Sequence, residues 1–295
     1  MNTTYDPITN TFVLDIGTDS ILPQLVWVIT DRCPNDCPFC FQPKTGIDFN
    51  VNNLPEAIHM FNKLGVQKID ISGGEPLSFS DISLICETLK SSGIHITLTT
   101  NGVGPEDKKQ WLSENGKLFS RVMFSINGFD EASHDTLCTV PGTFAQTLNA
   151  IESLSSANYS KVRINTVITK ILLPIKNQEK LLTVIKKLEP EEWCLIQPHP
   201  ENKKSTFEFH DITSSEFAEV SYKLKARMQT MNTKVLIRTI DNYRGYWVLY
   251  PNGIIRKHVD SPQDVVEHSF QIQELPTLIN SIIGTVWLPN QENDL

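Results

Sequence analysis

From Leu25 onward, short runs rich in β-branched and aromatic residues alternate with helical stretches of roughly ten to fifteen residues, and this alternation is the strongest constraint on the fold. Strand candidates are Val26–Thr30, Lys68–Ser72, His95–Thr100, Arg121–Ile126, Lys161–Ile168 and Trp193–Gln197, with helix candidates at Leu54–Leu64, Asp81–Ser91, Thr143–Ser155 and Gln178–Leu188. Strands that alternate with helices form βα units on a parallel sheet. A closed barrel takes eight such units, so about six predict an α/β fold with a partial (β/α)6 TIM-like barrel and active groups at the strand C-terminal ends. Residues 1–24 alternate weakly, as in T-F-V-L-D-I, and read as a hairpin or extended lead-in. After Pro200 the pattern changes to a polar stretch, a helix near Ser214–Met228, strand-like runs at Lys234–Ile240 and Tyr246–Tyr250, and a turn at Pro251-Asn252-Gly253. The expected organisation is a lead-in over 1–24, a partial barrel over 25–200 and a C-terminal extension over 201–295 that covers the substrate side.

The formal net charge is -8 and the basic residues are scattered, so nothing supplies the broad positive surface that a nucleic-acid backbone requires. No window approaches a membrane span. Six cysteines, with no basic N-terminal run leading into an apolar stretch and a cleavage site, point to a reducing cytoplasm. A cytoplasmic protein without nucleic-acid or membrane partners is expected.

The segment T-D-R-C-P-N-D-C-P-F-C-F-Q-P follows the first strand and carries Cys33, Cys37 and Cys40. Thiolates are soft ligands suited to iron-sulfur clusters or zinc, and a structural zinc ion wants a fourth ligand. The other thiols, Cys86, Cys138 and Cys194, are separated by whole βα units, and His59 sits in a helix candidate. Three ligands leave one coordination position open to a small molecule, whereas an electron-transfer cluster normally uses four thiolates. From the residues alone, a metal-free loop and a zinc knuckle stay open as alternatives.

After the second strand comes I-S-G-G-E-P-L, where Gly73 and Gly74 allow close backbone approach and Glu75 offers a carboxylate; a tight βα turn is the bland reading. Side chains of one strand parity share a face. This selects Thr97, Thr99 and Asn101 in H-I-T-L-T-T-N-G, Ser125 and Asn127 in M-F-S-I-N-G, Arg163 and Asn165 in K-V-R-I-N-T-V-I, and Gln197 and His199 in W-C-L-I-Q-P-H-P as lining a polar lumen. Parity sets Cys194 beside Ile196 and away from Gln197, as a packed thiol, and helical spacing to Ile82 and Leu89 puts Cys86 in the core. Cys138, in D-T-L-C-T-V-P-G, is expected to be an exposed loop thiol, either incidental or a hydrogen donor to a substrate radical.

The Cys-x3-Cys-x2-Cys spacing, with the aromatic Phe39 before the last cysteine, resembles the signature of the radical S-adenosylmethionine superfamily, and the resemblance covers residues 25 to about 200. It implies a 4Fe-4S cluster on Cys33, Cys37 and Cys40, whose open iron chelates S-adenosylmethionine. One electron, from a flavodoxin- or ferredoxin-type donor, then cleaves the bound molecule to a 5'-deoxyadenosyl radical. It also implies cofactor contacts at Phe39, Gly73, Gly74, Glu75, Pro76, Thr99, Asn101, Ser125, Asn165 and Gln197. No cysteine follows Cys194, so a second cluster is not expected.

Two branches of the superfamily are echoed further. S-I-N-G-F-D-E-A-S-H-D-T-L resembles the fourth-strand region of peptide-modifying and molybdopterin-forming members. V-L-Y-P-N-G-I-I-R-K-H is similar to the start of an auxiliary-cluster domain, with His258 near the place of its first cysteine. R-I-N-T-V-I, W-C-L-I-Q, D-I-T-S-S-E-F and D-N-Y-R-G-Y-W-V-L-Y resemble viperin-like members, except that Cys194 stands where those have a lysine. The resulting expectation is hydrogen abstraction from a small polar, nucleotide-like substrate held by Arg163, His199, Tyr243 and Arg244. Maturation of a precursor peptide is the alternative, and an iron-sulfur or zinc-binding protein is the non-enzyme alternative.

Overall fold

The computed structural model describes residues 2–6, 11–15, 24–40, 42, 44–198, 207–240, 247–257 and 266–269. Strands β1 (Asn2–Asp6) and β2 (Thr11–Asp15) pair antiparallel as the expected N-terminal hairpin. The βα alternation then runs β3 (Gln24–Val28), α1 (Leu54–Leu64), β4 (Lys68–Ser72), α2 (Ile82–Ser91), β5 (His95–Thr100), α3 (Glu106–Asn115) and β6 (Phe119–Ser125). It continues through α4 (Glu131–Cys138), α5 (Thr143–Ser156), β7 (Val162–Val167), α6 (Ile175–Leu188), β8 (Glu192–Ile196), α7 (Ser214–Arg227) and β9 (Lys234–Arg238). Three short strands follow, β10 (Trp247–Leu249), β11 (Ile254–Lys257) and β12 (Val266–Ser269).

All but the first hairpin join one sheet, in the order β12-β11-β10-β3-β4-β5-β6-β7-β8-β9. From β10 to β9 every neighbouring pair is parallel, and β11 and β12 add an antiparallel edge. The six anticipated strands are β3 to β8, in sequence order. The strand-like runs beyond residue 200 flank them, β9 beside β8 and β10 beside β3. Among the described residues the end strands β12 and β9 do not pair with each other, so the sheet is an open α/β barrel.

Local chemistry explains the element ends. Helix α1 starts at a proline in its first turn, stops at Gly65 in the left-handed region (φ 69°), and turns Ala57, Met60, Phe61 and Leu64 toward the sheet. A capping box opens α7, with Thr213 and Glu216 satisfying each other's backbone donors. Two helices outside the anticipated set, α3 and α4, lack a strong apolar stripe; of α3 only Leu112 is buried. Glu106 and Asp107 at the positive end of α3, and the Asp130–Ser133 capping box of α4, favour their starts.

The main core lies between the sheet and its helices and includes Trp27, Phe61, Ile71, Leu98, Phe124, Ile164, Trp193 and Leu195. The opposite sheet face carries its own apolar cluster at β3 and β10, made of Val26, Val28, Val248 and Tyr250. That second face is the lumen.

Candidate active site

Register pairing shows which side chains line the lumen, because directly paired residues point to one face. One level runs Val26, Asp70, Thr97 and Arg121 across β3 to β6. Another runs Thr99, Met123, Arg163, Glu192 and Lys234 across β5 to β9. Nearer the strand C-terminal ends stand Ser125, Asn165, Cys194 and Leu236. The anticipated lumen positions on β5, β6 and β7 are therefore on one face.

On β8 the parity is reversed. Glu192, Cys194 and Ile196 face the lumen, while Trp193 and Leu195 enter the main core. Gln197 follows the strand and spends its amide elsewhere, donating to the Ser214 hydroxyl at 3.0 Å and accepting from the Ile240 N–H at 3.1 Å. It braces α7 against the end of β9. Cys194 is buried as expected, but beside Asn165 in the lumen rather than in the helix-side core. Cys86 lies fully buried in the main core.

The lower lumen is sealed by charge pairing. Arg163 meets one Glu192 oxygen through Nε at 2.6 Å and Nη2 at 2.5 Å, and both side chains are almost inaccessible to solvent. Arg121 and Lys234 approach the other oxygen at 3.2 and 3.6 Å. Thr97 and Thr99 donate to the two oxygens of Asp70 at 2.9 and 2.8 Å. Burial nonetheless pushes the Asp70 carboxyl up, against those hydrogen bonds. Thr99, anticipated as a cofactor contact, is thus committed to Asp70, and the anticipated substrate cation Arg163 is offset by Glu192. Asp70 stands between two isoleucines in mid-strand and Glu192 opens a strand; a carboxylate in those places was the sequence signal for this floor.

Ser125 and Asn165 differ from these groups. They are half-buried neighbours at the upper level, and their side chains have no hydrogen-bond partner among the described residues. The same end of the sheet carries the cysteine loop, which leaves β3 and is held on several sides. Asp31 accepts the Thr45 and Ile47 N–H groups at 2.9 and 2.7 Å and also the Thr45 hydroxyl, and these bonds hold its carboxyl below the usual range despite burial. Asp48 accepts from Thr30 at 2.6 Å and pairs with Arg32 at 3.0 Å. The Gly74 and Glu75 N–H groups donate to the Thr30 and Arg32 carbonyls, each at 2.7 Å.

The two glycines admit the cysteine loop itself. A Cβ on Gly74 would lie 2.6 Å from the Arg32 carbonyl carbon and 2.7 Å from the Asp31 oxygen, and one on Gly73 would lie 2.6 Å from the Thr30 oxygen. These neighbours are backbone and cannot step aside. Gly74→Ala is expected to lower stability by about 2–3 kcal/mol and to reduce iron uptake. Thermal melts and iron analysis check this; an unchanged melting temperature would contradict the packing argument.

Glu75, anticipated as a cofactor contact, is engaged by protein donors. Its carboxylate is fully buried and its described partners are protein donors: the Leu77 N–H at 2.9 Å, the Thr100 hydroxyl at 2.5 Å and the Asn101 N–H at 2.6 Å. Burial pushes its carboxyl up to about 7. The described geometry makes it a brace between β4 and β5. Pro76, also buried, opens the short turn after it. Asn101 aims Nδ2 at Cys33 Sγ, 3.5 Å away, and accepts the Val103 N–H at 2.8 Å. Phe39 is half-buried within the loop.

Cys33, Cys37 and Cys40 are all partly accessible, unlike the three buried thiols. Burial, then the charge of Glu75, push the Cys33 thiol up to about 12. Among the described residues, no three thiol, imidazole or carboxylate groups converge on one point as ligands of a single ion. A cubane spreads its thiolates over different irons. Three loop thiolates suit a cluster with three protein ligands, whereas a structural zinc ion wants a fourth.

Cys138 departs most from expectation. It ends α4, is 2 % exposed, and its sulfur lies 3.3 Å from His134 Nε2 rather than at the surface. His199, Tyr243 and Arg244 lie outside the described residues.

Residues 27–188 match the Radical SAM superfamily. The chain is 32 % identical over 166 residues to the GTP 3',8-cyclase of Limosilactobacillus fermentum, covering 53 % of this chain and 48 % of that protein. With the GTP 3',8-cyclase of Clostridium perfringens strain 13 it shares 33 % identity over 210 residues, 67 % of this chain and 61 % of the relative. It thus spans about half to three fifths of these curated relatives. In fold it is similar to Streptococcus suis SuiB bound to its precursor peptide SuiA, with TM-score 0.66 and 16 % identity over 80 % of this chain and 59 % of that one. It is also similar to anSMEcpe with bound AdoMet and a peptide, with TM-score 0.65 and 17 % identity over 85 % of this chain and 78 % of that one. With the superfamily match spanning more than half of its length, from β3 to the end of α6, this chain belongs to the radical S-adenosylmethionine superfamily.

Proposed function

We propose that this enzyme takes a hydrogen atom from a small, polar, nucleotide-like substrate held in the lumen beneath the cysteine loop. The superfamily uses a 4Fe-4S cluster and S-adenosylmethionine; reductive cleavage of the latter supplies a 5'-deoxyadenosyl radical as the abstracting agent. Cys33, Cys37 and Cys40 would hold the cluster, with Asn101 donating to the Cys33 sulfur. Ser125 and Asn165, both lacking described partners, would bind and orient polar groups of the cofactor. In this reading Arg163 and Glu192 form the floor and exclude water, and residues 201–295 cover the open side. The electron would come from a flavodoxin- or ferredoxin-type protein.

The observation that carries the nucleotide reading is the 30–33 % identity, over about half to two thirds of the chain, to relatives named GTP 3',8-cyclase. The likeness to peptide-bound SuiB is a likeness of fold at 16 % identity. Anaerobically reconstituted enzyme, given dithionite and S-adenosylmethionine, is expected to release 5'-deoxyadenosine faster with a nucleoside triphosphate present. Deuterium from labelled nucleotide should appear in that product. Stimulation by a precursor peptide and by no nucleotide would replace this reading with a peptide maturase. Failure to cleave S-adenosylmethionine under any condition would count against radical chemistry altogether.

A further inference from the structure

Asn101 follows the last residue of β5, at the start of the turn that meets the cysteine loop. Contacts from three directions hold it. Its backbone N–H donates to Glu75 Oε2 at 2.6 Å, from the segment after β4. Its carbonyl accepts the buried Thr147 hydroxyl of α5 at 2.6 Å. Its side-chain Oδ1 accepts the Val103 N–H at 2.8 Å, two residues on. Gly102 between them is left-handed, with φ 78°, and its N–H donates to the Thr100 hydroxyl at 2.9 Å. A Cβ on Gly102 would lie 3.1 Å from Thr147 Cα, so α5 packs directly on this turn.

The contact with Val103 decides which end of the amide faces Cys33. A backbone N–H can only donate, so the atom toward Val103 is the carbonyl oxygen. The atom 3.5 Å from Cys33 Sγ is therefore the NH2 nitrogen, which has hydrogens to give and no lone pair to offer. Sulfur is the acceptor. Asn101 and Cys33 are both half-buried, so water competes with this bond only in part. A thiolate ligand carries more negative charge than a thiol and accepts more strongly still.

We propose that Asn101 raises the reduction potential of the cluster through its amide hydrogen bond to the ligand sulfur of Cys33, with Glu75 and Thr147 holding the amide in place. The electron taken from the donor protein makes the cluster more negative, and part of that charge falls on the ligand sulfurs. A hydrogen donated there stabilises the reduced form more than the oxidised one. Asn101 is thus a positioning residue for electron uptake, acting through Cys33. The inference rests on the cluster assignment in the proposed function, which iron and sulfide content report independently of potential.

The test is a potentiometric titration of the reconstituted full chain, followed by the electron-spin signal of the reduced cluster. Iron–sulfur stretching frequencies are recorded beside it in light and heavy water. Asn101→Ser is neutral, keeps an oxygen for the Val103 N–H and is too short to reach Cys33. It is expected to hold wild-type iron, with the reduced-to-oxidised ratio at a fixed potential falling roughly two- to tenfold. The heavy-water shift of the stretching frequencies should shrink with it, because an exchangeable N–H on the sulfur has gone. An Asn101→Ser cluster at wild-type potential overturns the proposal. So does a lowered potential with an undiminished heavy-water shift, which would place the cause away from the sulfur. If Asn101→Ser holds no cluster, Thr147→Val decides, since it releases the Asn101 carbonyl and leaves the amide itself intact. A lowered ratio in Thr147→Val supports the proposal. A wild-type ratio, or loss of iron there too, rejects it and leaves the residue a support of the loop alone. Failure of wild type itself to hold iron would instead refute the cluster assignment beneath it.

Discussion

Replacing Cys37 by Ala is expected to leave a folded protein that assembles no stable 4Fe-4S cluster and releases no 5'-deoxyadenosine. The side chain is partly accessible and outside the hydrophobic core, so its loss removes a ligand without opening a large cavity. The neighbouring backbone should persist, since Cys40 N–H bonds to the Cys37 carbonyl at 3.1 Å through main-chain atoms alone. Two remaining thiolates cannot hold a cubane that already relies on three. The loss of iron affinity should exceed the roughly 10- to 100-fold typical of deleting an outer-sphere partner. Iron and sulfide analysis, the charge-transfer absorption of the reconstituted protein and a product assay measure it together. A Cys37→Ala protein with full iron and undiminished cofactor cleavage would defeat the assignment.

Glu192→Gln should cost stability rather than iron. Arg163 is almost fully buried and its described anionic partner is Glu192, so the neutral amide leaves a guanidinium uncompensated in the lumen. Arg121 retains Glu191 at 3.6 Å, which limits the damage at that side. Breaking one partner of a buried pair costs about 3–5 kcal/mol, or roughly 6–20 °C in melting temperature for a domain of this size. Replacing both members by apolar residues of similar volume, as in R163M/E192M, removes the charge with its counter-charge and should recover most of the loss. A thermal melt of the three proteins checks this. If Glu192→Gln melts with wild type, Arg163 has another counter-charge and the sealed-floor description fails.

These two experiments probe parts of the site that were unequally visible in the sequence. Strands β4 and β5 have their anticipated bounds because alternating apolar positions stop at Gly73 in one case and at Asn101-Gly102 in the other. The same alternation identified Thr97, Thr99, Ser125, Arg163 and Asn165 as sharing one face. In W-C-L-I-Q it could not do so, since four consecutive apolar residues carry no period-two signal. The register with β7 decides there, and it turns Cys194 inward and Gln197 away. Cys138 looked like loop because C-T-V-P-G follows it and α4 is short; its burial depends on a contact with residues near position 36.

By itself, then, the sequence determined what nearest neighbours along the chain can encode: strand and helix periods, the cysteine spacing, and the glycines that follow β4. Tertiary structure decided which polar side chains are available and which are already engaged. Glu75 is claimed by β5, Arg163 by β8, and Cys138 by the cysteine loop, through contacts separated by 25 to 102 residues. Such pairings depend on sheet register and helix docking, which are set by burial summed over the whole core and leave no mark in the spacing of any one segment.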